Sequence, residues 1–121
     1  MMNLDLVCMK AAQAMVAGSG DKADKENLAT KALGVLLENG PYGMMLFLKI
    51  QKKEMAPGYR KQLLAVLRDA AVTPPPPDDA DFQKETAWLR GAAANLDTYL
   101  FIKRLWQQTL TYARYHAKAA D

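Results

Sequence analysis

Lysines and arginines at helical spacing are the residues of this chain whose chemistry is easiest to predict. Near the end of the chain, Lys103, Gln107, Thr111, Arg114 and Lys118 follow one another at intervals of three or four residues, and no acid lies between Lys103 and Lys118. Side chains at this spacing share one face of a helix. A stripe with three cations and no anion suits contacts with the phosphates of a nucleic acid, which need charge but do not read bases.

A second group of cations lies in the middle of the chain. The range Lys49–Arg68 holds six basic residues and one acid, Glu54, whereas Asp78–Asp97 holds five acids and two basic residues. The candidate residues for contact with an anionic partner in the middle of the chain are Lys49, Lys52, Lys53, Arg60 and Lys61. The net charge is only +3, so the segregation of charge is what favours a polyanion on one side and protein neighbours on another. The alternative interpretation is that these are ordinary solvated faces.

Residues suited to catalysis or to metal binding are sparse. His116 is the only histidine and Ser19 the only serine, within a Gly-Ser-Gly turn. The acids Asp78, Asp79 and Asp81 have no histidine beside them, and acids at a helix start usually serve the helix dipole. The chain has no Cys/His cluster and no glycine-rich phosphate loop. We therefore expect no enzymatic activity, no metal and no cofactor.

The composition indicates one folded domain over residues 1–121, of which half are apolar. The single cysteine, Cys8, cannot form an internal disulfide, which fits a reducing compartment. The start, Met1–Asp5, lacks the basic and apolar regions of a signal peptide. The longest charge-free runs span ten residues, too few to cross a bilayer. We expect a cytoplasmic protein with no membrane partner.

Apolar periodicity predicts an all-α fold, a compact bundle of five to six helices. The expected helices are about Leu4–Ala17, a helix capped by Asp24 that carries Leu28–Leu37, a helix from Met44 to Glu54, Tyr59–Val72, a helix capped by Asp79 or Asp81, and Thr98–Ala119. The apolar stripe predicted for the last helix is Ile102, Leu105, Trp106, Leu110, Ala113 and Ala117. The Pro-rich segment at 73–78 predicts a stiff surface loop, rather than a ligand for a proline-recognition module.

The break at Asn39–Gly43 is the point around which the predicted bundle is organised. Asn39 and Gly40 accept the backbone angles that end a helix, and Pro41 suits the first turn of the next one. The following run Met44–Leu48 has no charge, and a helix that is apolar on every side is usually buried on every side. We therefore expect a central helical hairpin in the core, with a positive φ angle at Gly40.

This break also resembles the signature of a known family. Asn39-Gly40, a helix start and then Met45–Lys49 are similar to the central pattern of the small subunit of the type III-B CRISPR effector, the Cmr complex. That pattern is an apolar helix, Asn-Gly-Leu, and a helix with Leu-Ala-Phe near its middle. The spacing from Asn39 to Phe47 fits without a gap, while Pro41 and Gly43 replace the usual Leu and Gln.

The end of the chain is similar to the same family, which closes with a Tyr, a long helix and Trp-Leu-Lys-Arg-Phe-Ala or a variant. Here Tyr99 opens the helix and Tyr112–Ala117 takes the place of that motif. Tyr112, Arg114 and Ala117 match in kind, whereas the two residues between Arg114 and Ala117 do not.

The resemblance implies a non-catalytic subunit of an RNA-guided RNA-silencing complex in antiviral defence. Several copies would stack in a filament beside the backbone and large subunits and brace the guide RNA and target RNA through their phosphates. Two alternatives are open. One is a helical scaffold subunit without nucleic-acid contact, whose basic side meets an acidic protein, and the other is the small subunit of a related CRISPR effector type.

Overall fold

The computed structural model describes residues 2–18, 20–78 and 81–120. It has five helices: α1 (Leu4–Ala17), α2 (Lys22–Ile50), α3 (Ala56–Asp69), α4 (Phe82–Ala92) and α5 (Leu96–Ala119). None of the residues in these ranges forms a β-strand. The predicted all-α bundle of five to six helices is therefore confirmed, and α2 and α5 form its most extensive helix pair.

Short polar side chains define where several helices begin. The Asn3 side chain accepts a hydrogen bond from the Leu6 amide at the start of α1, and Asn95 does the same for Thr98 at the start of α5. Asp81 caps α4, as predicted for one of two acids; the other, Asp79, lies outside the described residues. The predicted cap at Asp24 is wrong, because α2 begins earlier, after Asp21.

The predicted break is confined to Gly40, which lies inside α2 with φ 80° and ψ −178°. The positive φ predicted for this glycine is confirmed. Helical geometry resumes at Pro41, so α2 is two helical halves joined by one non-helical residue. The Tyr42 amide has no acceptor within the new half, as is usual in a first turn, and it donates instead to Tyr99 Oη of α5 at 3.0 Å.

Helix α5 supplies the centre of the core. All six residues of its predicted apolar stripe are buried, and Trp106 Nε1 donates to the Leu63 carbonyl of α3 at 2.8 Å. Cys8 of α1 is buried beside this stripe, and its Sγ donates to the Leu105 carbonyl at 3.6 Å. Burial raises the pKa of the Cys8 thiol, so this cysteine behaves as a small apolar side chain.

The second half of α2 is buried on one side only. Met44, Met45 and Leu48 are buried, but Leu46 is 40% and Ile50 73% exposed. The expectation of burial on every side is therefore wrong. Neighbouring helices of the same chain cover only part of this half, which leaves an apolar face on the surface.

The Pro-rich segment is held against two helices. Trp88 Nε1 of α4 donates to the Pro74 carbonyl at 2.9 Å, and Arg68 Nη1 of α3 donates to the Pro77 carbonyl at 3.0 Å. Pro76 is buried, while Pro74 and Pro75 are exposed. Two carbonyls of this loop therefore anchor it to the bundle. None of the described helices is both long and apolar enough to span a bilayer.

Candidate nucleic-acid interface

The stripe on α5 is the most regular group of cations in the structure. Lys103 and Arg114 are half-buried and Lys118 is exposed, so their long side chains lie beside the buried apolar face of the same helix. At 100° per residue the three fall within an arc of about 60°, and they extend over about 22 Å of helix axis. These three residues are called the α5 stripe below.

Gln107 and Thr111 lie on the same side of the helix as the α5 stripe and carry no charge, so neither neutralises its cations. Gln107 is exposed, and the Thr111 hydroxyl donates to the Gln107 carbonyl at 2.7 Å. The Arg114 guanidinium lies 6.0 Å from the centre of the Tyr115 ring, a contact that orients the cation without neutralising it. Arg104, which is not part of the predicted stripe, is exposed and adds a cation beside Lys103.

The cations at the end of α2 do not share one helix face. The prediction placed Lys49, Lys52 and Lys53 on a single helix, but α2 ends at Ile50, so Lys52 and Lys53 lie in the connection to α3. All three are exposed. Lys53 Nζ lies 3.2 Å from the Asp24 carboxylate, and an exposed pair of this kind is weak enough to exchange partners with a phosphate.

Phe82, the first residue of α4, brings together two of the predicted cations. Lys49 Nζ lies 5.4 Å and the Arg60 guanidinium carbon 5.7 Å from the centre of its ring. Both distances are within the range of a cation–π contact. Sequence spacing does not predict this role for Phe82, because the three residues come from three different helices.

Arg60 lies inside the molecule rather than on a basic face. It is 8% exposed, and its Nε lies 3.9 Å from Oε1 of Glu85, which is 3% exposed. This position removes Arg60 from the predicted phosphate contacts, because its charge faces a buried carboxylate. Lys61, the next residue, is exposed and keeps its place among the candidate contacts.

The described residues do not bring together a metal-binding group. Among them, no three His, Cys, Asp or Glu side chains come close enough to hold an ion. His116 is half-buried near the end of α5, and Ser19 lies outside the described residues.

The exposed apolar face consists of Tyr42, Leu46 and Ile50, spaced four residues apart along the second half of α2 and 37%, 40% and 73% exposed. Leu96 and Leu100 at the start of α5 are also exposed. The hydrogen bond between Tyr42 and Tyr99 brings this end of α5 beside Tyr42. Exposed apolar rows of this kind are typical of surfaces that contact other proteins.

No protein-family profile, curated protein or solved structure matches this chain.

Proposed function

We propose that this chain is the non-catalytic small subunit of a type III-B (Cmr) CRISPR complex, an RNA-guided RNA-silencing assembly that acts in the cytoplasm in antiviral defence. The observation that carries the proposal is the α5 stripe, three cations on one side of a long helix with no acid between them. The all-helical fold and the break at Gly40, where the resembling family has its Asn-Gly signature, support it.

In this proposal the cations contact phosphates of the guide and target RNA. Lysine and arginine on a helix supply charge and hydrogen-bond donors but do not reach base edges, so the contacts are independent of sequence. The α5 stripe is the primary contact. Lys49, Lys52, Lys53 and Lys61 form a second, looser set, in which Lys53 must exchange Asp24 for a phosphate.

Protein partners occupy the apolar face of Tyr42, Leu46 and Ile50 in the same proposal. These partners are the backbone and large subunits of the complex and neighbouring copies of this chain in a filament. Stacked copies strengthen RNA binding because each later contact is intramolecular. A single copy, with few phosphate contacts, binds weakly.

A second candidate is a helical scaffold subunit that does not touch RNA. The exposed apolar row on α2 favours it, since such a row suits a protein partner and gives no contact to RNA phosphates. The α5 stripe then meets an acidic protein surface. The small subunit of a related CRISPR effector type is a variant of the first candidate, with the same mechanism in a different complex.

The two candidate functions are distinguished by measuring the affinity of the assembled complex for single-stranded RNA at several salt concentrations. One variant has the α5 stripe changed to alanine. The control has three exposed lysines outside the stripe changed to alanine, namely Lys10, Lys22 and Lys31. Each phosphate contact on a single strand contributes about 0.7 to the logarithmic salt slope, so losing three contacts lowers the slope by about 2 per engaged copy.

We expect the stripe variant to bind RNA more weakly, with the shallower slope and to a similar extent on unrelated sequences. The control variant keeps the parent affinity and slope. If the stripe variant matches the parent in both, the RNA proposal is wrong and the scaffold candidate is preferred.

A further inference from the structure

A cavity of about 300 Å³ lies between α3, the Pro-rich segment and α4. Its exposed rim includes Pro57, Lys61 and Asp78, and its buried part includes Arg60 and Glu85. The volume is at the lower end of the range of about 300–1,000 Å³ that is usual for small-molecule sites. The cavity is separate from the α5 stripe, because no residue of α5 is among those that line it.

Three cations from one side of α3 line this cavity. Arg60, Leu64 and Arg68 are spaced four residues apart, and Lys61 is seven residues before Arg68, so all four share a helix face. Leu64 contributes apolar surface between the charges, and Pro57 and Pro77 contribute more from either side. The lining therefore combines apolar walls with positive charge, the usual composition of a site for a small charged ligand.

Arg60, in the buried part of the lining, has a donor without a hydrogen-bond partner. The side chain is 10% exposed, its Nε is buried, and no described protein group accepts a hydrogen bond from Nε. The nearest Glu85 oxygen is 3.9 Å away, beyond hydrogen-bonding distance. A buried donor of this kind is uncommon, and an ordered water or an ion is the usual partner where no protein group is within hydrogen-bonding distance.

The charges of the lining indicate the charge of the ligand. The Arg60–Glu85 pair is neutral as a unit, which leaves Lys61 and Arg68 against Asp78, a net charge of +1. Arg68 uses Nη1 to hold the Pro77 carbonyl, and a guanidinium has five N–H donors in all. Its other donors are therefore available for an oxyanion.

From this geometry we infer that the cavity binds a small organic anion, with one carboxylate or phosphate group on a compact apolar body. The oxyanion contacts Arg68 and Lys61, and the apolar body lies against Leu64 and the two prolines. This inference goes beyond the proposed RNA contacts. Lys61 belongs to both surfaces, but Arg68 belongs to the cavity alone.

The test is a titration of the full chain, followed by two-dimensional amide NMR, with phenyl phosphate, benzoate and benzyl alcohol as probes. We expect saturable shifts at Gly58, Lys61, Leu64 and Asp78 with at least one of the two anions, in the millimolar range or tighter. Tighter binding of phenyl phosphate identifies a phosphate ligand, and tighter binding of benzoate a carboxylate. Absence of saturable shifts at these residues, or equal binding of uncharged benzyl alcohol, overturns the inference.

Two variants locate the binding. Arg68→Gln removes a charge-assisted hydrogen bond and weakens anion binding about tenfold or more, whereas Arg90→Gln, an exposed arginine on α4, leaves it unchanged. Because Arg68 also holds the Pro-rich segment, Lys61→Gln provides a second test without that complication. It weakens binding about two- to fivefold, with Lys31→Gln as its control. Binding by both cavity variants at the parent affinity overturns the inference.

The RNA measurement keeps the two proposals apart. Anion binding by the isolated chain persists when the α5 stripe is changed to alanine, since those residues do not line the cavity. RNA binding by the complex persists in Arg68→Gln. Either proposal can therefore fail while the other stands.

Discussion

Replacing Gly40 with alanine tests how the central break of α2 is held. Its backbone angles, φ 80° and ψ −178°, lie in a region that only glycine enters readily. A Cβ built at Gly40 would lie 3.7 Å from Tyr99 Oη and 3.9 Å from Tyr99 Cε2, which is ordinary van der Waals contact. The cost of Gly40→Ala is therefore backbone strain rather than a collision.

The expected magnitude follows from two opposing effects. A residue held in such a sparsely populated region is strained by about 1–3 kcal/mol. Alanine also restricts the unfolded chain, which offsets about 0.4–1 kcal/mol of that loss. We expect Gly40→Ala to lower the free energy of unfolding by about 1–2 kcal/mol. If the chain instead relaxes to helical angles at position 40, the hydrogen bond from Tyr42 to Tyr99 is disturbed and stability again falls.

Gly34→Ala is the matched control, because Gly34 is an exposed glycine in the same helix with nothing within 4 Å of a new Cβ. Alanine is favoured over glycine inside a helix by about 0.5–1 kcal/mol, so this variant should be more stable than the parent. The assay is urea denaturation followed by far-ultraviolet circular dichroism. Equal or increased stability of Gly40→Ala would refute the reasoning, as would an equal loss in both variants.

Two further predictions concern stability. Ala71 has φ 60° at the end of α3, where the Val72 amide donates to the Leu67 carbonyl and the Ala71 amide to the Arg68 carbonyl. Because glycine is preferred at this position of such a motif, Ala71→Gly should raise the free energy of unfolding by about 1 kcal/mol. A lower free energy of unfolding in urea denaturation would contradict this prediction. Burial raises the pKa of Tyr59 to about 12 from 10.0, so the folded state keeps its proton where the unfolded state loses it. Stability should be retained below about pH 10 and fall by about 2–3 kcal/mol towards pH 12. Tyr59→Phe, measured by denaturation across this range, should lack that part of the decrease, and an unchanged decrease would contradict the assignment.

Local sequence patterns predicted those features of the fold that depend on neighbouring residues. The bounds of α1, the buried stripe of α5 and the positive φ at Gly40 follow from periodicity and from the backbone freedom of glycine. These signals lie within a few residues of one another, so they can be recognised without knowing which helices pack together.

Features that join distant residues were not predictable in the same way. Arg60 and Glu85 lie on different helices with the Pro-rich segment between them, and a charge count treats Arg60 as one more surface cation. Likewise, Asp24 pairs with Lys53 rather than capping α2. The exposure of Leu46 and Ile50 depends on which sides of α2 the other helices cover, and a fully apolar run does not contain that information.

The central claim is that this chain is a subunit of an RNA-guided complex, and the composition of its native assembly tests that claim most directly. The measurement is purification of the tagged full chain from its own host cells, followed by mass spectrometry of the proteins and sequencing of any bound RNA. The proposal predicts several copies of this chain with repeated backbone subunits, a polymerase-like large subunit and a guide RNA. An assembly with none of those subunits and no RNA would contradict it.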